Sequence, residues 1–260
     1  MNPIKPRKIV VPAQAGTMLS DAIRRVPDAG RRVFLQRSLS LGGLALLTGC
    51  TPDTEESIER ALQLVSRFND RVQAALFDPA RLAPIYPESM ITRPFPFNAY
   101  YGEDEVRVVD GGSWRLELAG LVGDRRPWTL AQLRALPQQD QVTRHICVEG
   151  WSAIGKWGGV PFSHFLRLVG ADLGARYVGF HCADDYFTSI DMATALHPQT
   201  LMALSYDGEV LPPRYGYPMK LRIPTKLGYK NPKHIQAIFV TNTYPGGYWE
   251  NQGYNWFGGS

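Results

Sequence analysis

Two of the three cysteines in this 260-residue chain have neighbours that could do chemistry. Cys147 stands in Arg144-His145-Ile146-Cys147-Val148-Glu149-Gly150-Trp151-Ser152, where a strand-like run gives way to a loop rich in glycine and tryptophan. Cys182 stands at the end of another such run, in His181-Cys182-Ala183-Asp184-Asp185. On a strand, residues two apart point to one face, so His145 and Cys147 are presented together. An imidazole beside a thiolate is a donor pair for zinc, with His181 or Cys182 to complete the set. Against zinc, adjacent strand residues face opposite ways, and the Cys-x-x-Cys spacing of structural zinc sites is missing. In an oxidising compartment the same two cysteines could instead close a disulfide. His164, within a short helix, and His197, before Pro198, read as structural.

A second feature is a basic segment. Between Val210 and Trp249 there is no Asp or Glu, while Arg214, Lys220, Arg222, Lys226, Lys230 and Lys233 all fall there. Gly216, Pro218, Gly228 and Pro232 interrupt the run, so these cations are expected at loops where a phosphate can approach. A solvated basic face is the alternative. The rest of the chain does not share this basicity. Its net charge of +4 is concentrated in the first 50 residues, where eight Lys/Arg face only Asp21 and Asp28, leaving −2 for the other 210. That balance disfavours a nucleic-acid-binding body, which needs clustered positive charge on the folded part.

The elements that must position these groups follow from periodicity. Ile58, Leu62, Val65, Phe68, Val72 and Leu76 recur every three or four residues, predicting an amphipathic helix over 57–76 that stops at Asp78-Pro79. A proline-rich stretch over 84–96 then runs extended. Strands are predicted at 114–118, 141–148, 176–180, 201–206, 219–223 and 234–241, with short helices from Thr129 and over 161–169 and 189–196. Strands outnumber helices and do not alternate with them, so the expected class is α+β with mixed sheets. A Gly-x-Gly phosphate loop at a helix start is missing, which disfavours a dinucleotide fold.

The order of motifs carries a resemblance. His145-Ile146-Cys147-Val148-Glu149-Gly150-Trp151-Ser152 resembles the segment around the molybdenum-ligating cysteine of the sulfite-oxidase family of molybdopterin enzymes. The run from Leu211-Pro212-Pro213-Arg214 through Lys220-Leu221-Arg222-Ile223-Pro224 resembles that family's second signature, and Lys226-Leu227-Gly228-Tyr229-Lys230 follows it in order. The likeness spans roughly residues 94–240 and is strongest to bacterial periplasmic members of the methionine-sulfoxide-reductase type. It implies a sulfite-oxidase-type molybdopterin-binding domain, with two-electron oxygen-atom transfer at a molybdenum held by Cys147 and by the pterin's sulfurs.

By the same resemblance Asn98 and Tyr101 match an Asn-x-x-Tyr element that contacts the pterin, and His145 the histidine beside the metal ligand. Gly228, Tyr229 and Lys230 match the loop closing over the pterin end. Cys182, Tyr215 and Lys220 fall where relatives carry threonine, asparagine and arginine at the cofactor. Tyr206 falls near a tyrosine that reaches the substrate pocket. The residue chemistry agrees: a high-valent molybdenum wants a soft thiolate, and the pterin phosphate wants fixed cations.

The leader has its own reading. Arg31-Arg32-Val33-Phe34-Leu35 precedes an uncharged stretch over 38–49, and the arginine pair looks like a twin-arginine signal, which exports folded proteins. Leu47-Thr48-Gly49-Cys50 resembles a lipobox. The expected organisation is therefore an export leader over 1–50, a linker with an amphipathic helix over 51–84, and an oxidoreductase domain over 85–260. The enzyme is expected in the periplasm or on the outer face of the cytoplasmic membrane. With no Cys-x-x-Cys-His haem motif and no additional dimerisation domain, its electrons are expected to pass through a separate haem- or quinone-linked membrane partner. A small oxo-acid or a sulfoxide would be the substrate. The rival readings are an exported binding module with a Cys147–Cys182 disulfide, and a zinc hydrolase.

Overall fold

Alternation of apolar and polar residues sets the strands. Arg115, Glu117 and Ala119 face out of β1 (Arg115–Gly120), while Leu116 and Leu118 are buried. The computed structural model describes residues 55–260, so the leader lies outside the described residues. Residues Glu59–Ser260 form one compact unit; the other unit, Met1–Ile58, falls almost entirely outside the description.

Two five-stranded sheets make the body. The first runs β2 (Trp128–Thr129), β1, β10 (Ile235–Thr241), β5 (Tyr177–Cys182), β6 (Phe187–Asp191). Its β1–β10 pair is parallel and its other pairs are antiparallel. The second runs β3 (Gln139–Ile146), β4 (Ser152–Pro161), β7 (Leu201–Tyr206), β8 (Glu209–Val210), with β9 (Lys220–Arg222) also paired to β7. Helices α1 (Glu55–Leu76), α2 (Leu130–Arg134), α3 (Phe162–Leu168) and α4 (Met192–Leu196) complete the mixed α+β architecture. A Thr129–Gln132 capping box opens α2 and an Asp191 cap opens α4.

The main core is formed by Leu116, Leu118, Val178, Phe180, Ile238 and Val240 of the first sheet, packed with Phe162, Phe165 and Leu166 of α3. A smaller aromatic core gathers Phe95, Trp157, Tyr206 and Tyr215. Trp157 lies on β4, in a stretch expected to be loop. Instead it belongs to the longest strand, which makes a hairpin with β3. Its glycines serve close approach: a Cβ on Gly159 would sit 1.9 Å from the Met202 carbonyl of β7. Residues 189–191, expected to open a helix over 189–196, instead end β6, because Asp191 closes the strand and caps α4 by accepting from the Thr194 N–H at 2.7 Å.

Charge enters this interior. Lys226 is buried, with Nζ donating to the Phe257 carbonyl at 2.8 Å and Asp191 at 3.7 Å, and burial pushes its amine down to about 7. In the unfolded chain that amine keeps its ordinary value near 10.4. Between those values only the unfolded state holds the proton, so this residue's contribution makes stability rise with pH from about 7 to 10, by up to about 1.4 kcal/mol per pH unit. Lys226→Met should lose that rise, and urea unfolding of both proteins at pH 7, 8 and 9 reads the difference.

Candidate active site

Cys147 is the first residue past β3, at the turn of the β3–β4 hairpin. Gly150 N–H donates to the Cys147 carbonyl at 3.2 Å and Cys147 N–H to the Trp151 carbonyl at 2.9 Å. Gly150, at φ +93°, takes the left-handed conformation this turn needs. The turn sets Cys147 in the wall of a cleft open to solvent. Opposite it come Asn98 to Tyr100, the loop carrying Gly228, Tyr229, Asn231 and Lys233, and Asp184 and Tyr186 from the β5–β6 turn.

Two groups touch the sulfur. Asn98 Nδ2 donates to Sγ at 3.3 Å, and Glu149 Oε2 lies 3.6 Å away, itself held by the Trp151 indole N–H at 2.8 Å. Burial pushes the Cys147 thiol up, with backbone N–H groups of Glu149 and Val148 opposing. A coordinated metal reverses this, since a ligating thiol is deprotonated.

Behind Cys147, His145 is fully buried. Its Nδ1 faces Arg222 Nη1 at 3.5 Å, and since a guanidinium has no acceptor, Nδ1 accepts and the proton sits on Nε2. Burial, and then the charges of Arg222, Lys220 and Lys233, hold this imidazole well below its ordinary value, so it is neutral. Nε2 has no hydrogen-bond partner among the described residues. A Cβ on Gly228 would come within 2.8 Å of it, so glycine at 228 keeps the ring's edge accessible from the cleft loop.

The basic segment is placed differently from the loop exposure expected. Lys220 and Arg222 lie on β9 and point inward; Lys220 sits over the Trp157 ring at 4.9 Å, and Arg222 donates to Asn231 Oδ1, Thr143 Oγ1 and the Arg144 carbonyl. Lys230 pairs with Glu250 in the interior, Lys226 lies near Asp191, and Arg214 pairs with Glu103 at 3.1 Å. Only Lys233 lines the cleft. Lys220, Arg222 and Lys233 have no carboxylate in ion-pair reach among the described residues. Burial pushes Lys233 down to about 8, against the pull of Asp184, and holds Lys220 well below its ordinary value, helped by the charges of Lys233 and Arg222.

The structure thus brings Asn98, Cys147, Gly228 and Tyr229 to the cleft wall, with His145 and Lys220 behind it. Tyr101 reaches it indirectly, its hydroxyl donating to Asp184 Oδ2 at 2.9 Å. Cys182 is buried at the end of β5 and does not line the cleft; burial raises its thiol well above the ordinary value. Tyr206 and Tyr215 are in the aromatic core and not on the cleft wall. The Tyr215 hydroxyl donates to the Phe95 carbonyl at 2.9 Å, and burial pushes Tyr206 up to about 12. Lys230 turns away to Glu250. Glu149, Asp184 and Tyr186 were not singled out by sequence; the acidic pair after Cys182 at a strand end was the available signal. Cys147 and Cys182 are both free thiols, so the disulfide is not formed. Among the described residues no group of three His, Cys, Asp or Glu is placed to hold a metal ion, which leaves the zinc reading without a ligand set.

Residues 103–249 match the model of the oxidoreductase molybdopterin-binding domain, more than half of the chain. The chain belongs to this molybdopterin-binding oxidoreductase family. It is 70% identical over 264 residues, across the whole of both chains, to a putative protein-methionine-sulfoxide reductase subunit YedZ1 of Azospira oryzae. It is 29% identical over 161 residues to the protein-methionine-sulfoxide reductase catalytic subunit MsrP of Ralstonia nicotianae, covering 56% of this chain and 49% of that one. The sulfane dehydrogenase SoxCD of Paracoccus pantotrophus shares the fold, with TM-score 0.50 and 19% identity over 53% of this chain and 40% of that one.

The protein is a molybdenum-cofactor-dependent oxidoreductase of the sulfite-oxidase type, and the site fits that anionic group. A soft donor stands in the cleft wall, a buried Nε2–H lacks an acceptor, and three cations lack a carboxylate. Gly228→Ala should push a methyl group against His145 and Asn98 and cost most of the bound cofactor while far-UV circular dichroism stays unchanged. Molybdenum and pterin content of the purified variant check this.

Proposed function

We propose that this chain is the catalytic subunit of an exported sulfoxide reductase acting on methionine sulfoxide in proteins. The observation that carries the reading is the Cys147 thiol in the cleft wall, held by Asn98 and backed by the neutral His145 and its cations. In this reading Cys147 would ligate molybdenum, while Asn98, Gly228, Tyr229 and Lys233 of the cleft wall, backed by His145 and Lys220, would hold the pterin and its phosphate. When bound, the cofactor supplies two-electron oxygen-atom transfer. Reduction of a sulfoxide breaks the S–O bond, takes up two electrons and two protons, and releases thioether and water. Glu149, whose Oε2 accepts from the Trp151 indole N–H beside Sγ, is the carboxylate placed to relay protons in this reading. Trp249 and Tyr254 flank the opening and give a methionine-derived side chain an apolar approach. The names of the relatives support sulfoxide as substrate.

Export and tethering belong to the same proposal. The twin-arginine pair Arg31-Arg32 would carry a protein folded around its cofactor, and Cys50 would be lipidated as the mature N-terminus. The body then spans 85–260, and a separate membrane redox protein supplies the electrons. None of the described helices is long and apolar enough to cross a membrane.

Cys147→Ser should abolish turnover and leave part of the pterin bound, because alkoxide and thiolate differ in softness while volume barely changes. Cys182→Ser should keep its molybdenum and a substantial part of its activity; equal loss in both variants contradicts the assignment. Replacing Arg31 and Arg32 together by Lys should hold the protein in the cytoplasm, since recognition needs the guanidinium pair and not charge alone. Cell fractionation reads the outcome.

A further inference from the structure

Helix α1 turns one face to the domain and leaves another bare. Asp70 Oδ1 accepts from the Phe257 N–H at 2.7 Å and Gln73 Oε1 from the Gly259 N–H at 3.0 Å, and Phe77, just past the helix, packs on Phe257 and His197. Ser66, Asp70, Gln73 and Phe77 are accordingly half-buried. At about 100° per residue, Leu62, Val65, Phe68, Val72 and Leu76 fall roughly a third of a turn round from that face. These five are 39–79% exposed, and Leu64 widens the stripe at 64%. Arg60, Arg67 and Arg71 form a third line along the stripe's far edge and are exposed. An apolar stripe of this length, rimmed by cations, is not left in water without a reason.

The sequence says what it meets. Glu55 stands only five positions past Cys50, a reach of at most about 18 Å. If Cys50 carries lipid, the helix begins at the bilayer surface. We infer that the outward face of α1 is a membrane-surface helix, its apolar stripe seated among lipid headgroups and acyl ends and its arginine line on lipid phosphates. The inference rests on the export and tether reading for its location, but the seat itself needs no acyl chain. An apolar face with arginines at its border is the pattern of helices that lie in the interface plane. It would fix the orientation of the domain on the membrane, which a flexible lipid tether alone does not.

The test uses the full chain carrying Cys50→Ala, so that no acyl anchor contributes, and co-sedimentation with vesicles of phosphatidylglycerol and phosphatidylethanolamine or of phosphatidylcholine alone. This protein should bind the anionic vesicles. Adding Val65→Asp with Phe68→Asp should weaken binding about tenfold or more. Adding Arg60, Arg67 and Arg71→Gln should weaken binding to anionic vesicles at low salt and leave the phosphatidylcholine result unchanged. Unchanged molybdenum content in each variant shows that the domain still folds. Equal binding by all three proteins would place the contact in the leader and overturn the inference, as would no binding by the parent. A parent dimer that Val65→Asp with Phe68→Asp dissolves, without any vesicle binding, would assign the face to a second copy and overturn it too. Failure of the export reading shows instead in the location of the Arg31/Arg32 variant, which this assay does not touch.

Discussion

Positive charge buried beside the cleft is the constraint around which this structure is arranged. Lys220, Arg222, Lys226, Lys230 and Lys233 are all withdrawn from water. Taking a charge out of water costs several kcal/mol unless a partner meets it. Lys230 has Glu250, Lys226 has Asp191, and Arg222 spends its guanidinium on carbonyl and amide oxygens of β3 and Asn231. Among the described residues Lys220 has the face of Trp157, and Lys233 a weak contact at 3.4 Å to the Arg214 carbonyl with the rings of Phe97 and Tyr101 nearby. The excess falls around His145, and it is the imidazole that yields, staying neutral with a donor turned out. In the proposed site an anionic cofactor would complete this balance, making cofactor binding and the stability of this corner of the domain one equilibrium.

The fold supplies that corner from chain segments far apart. The β3–β4 hairpin presents Cys147, the return from β9 presents Gly228 and Lys233, and the end of β5 presents Asp184. Glycines decide where backbones may approach, at 159 for the crossing of β7 and at 228 for the edge of His145. The aromatic core of Phe95, Trp157, Tyr206 and Tyr215 then backs the site, with Phe95 edge-on to His145 at 5.9 Å. In this arrangement Tyr206 and Tyr215 support the wall rather than form it.

Much of this was legible in local sequence, and the rest was not for physical reasons. β7 lies over Leu201–Tyr206 where the apolar run between turns predicts a strand, and the Thr129 capping signal marks the start of α2. Cys147 and Asn98 were identifiable by their motifs and do meet at 3.3 Å. The β4 strand was hidden because its glycines look like loop residues; they are strand residues whose small size admits β7 and the Trp157 ring. The fate of the basic segment was hidden because its counter-charges, Glu103, Asp191 and Glu250, all lie outside it in sequence. Whether a lysine faces a phosphate or a distant glutamate is a matter of tertiary pairing, which composition within a window does not contain.

The central claim is that Cys147 is the protein's ligand to the metal of its cofactor. Molybdenum X-ray absorption of the purified holo-protein, compared with Cys147→Ser, measures the sulfur shell directly. The account predicts that the variant loses one thiolate sulfur from that shell and keeps the sulfurs of the pterin. An identical sulfur shell in the two proteins would contradict it.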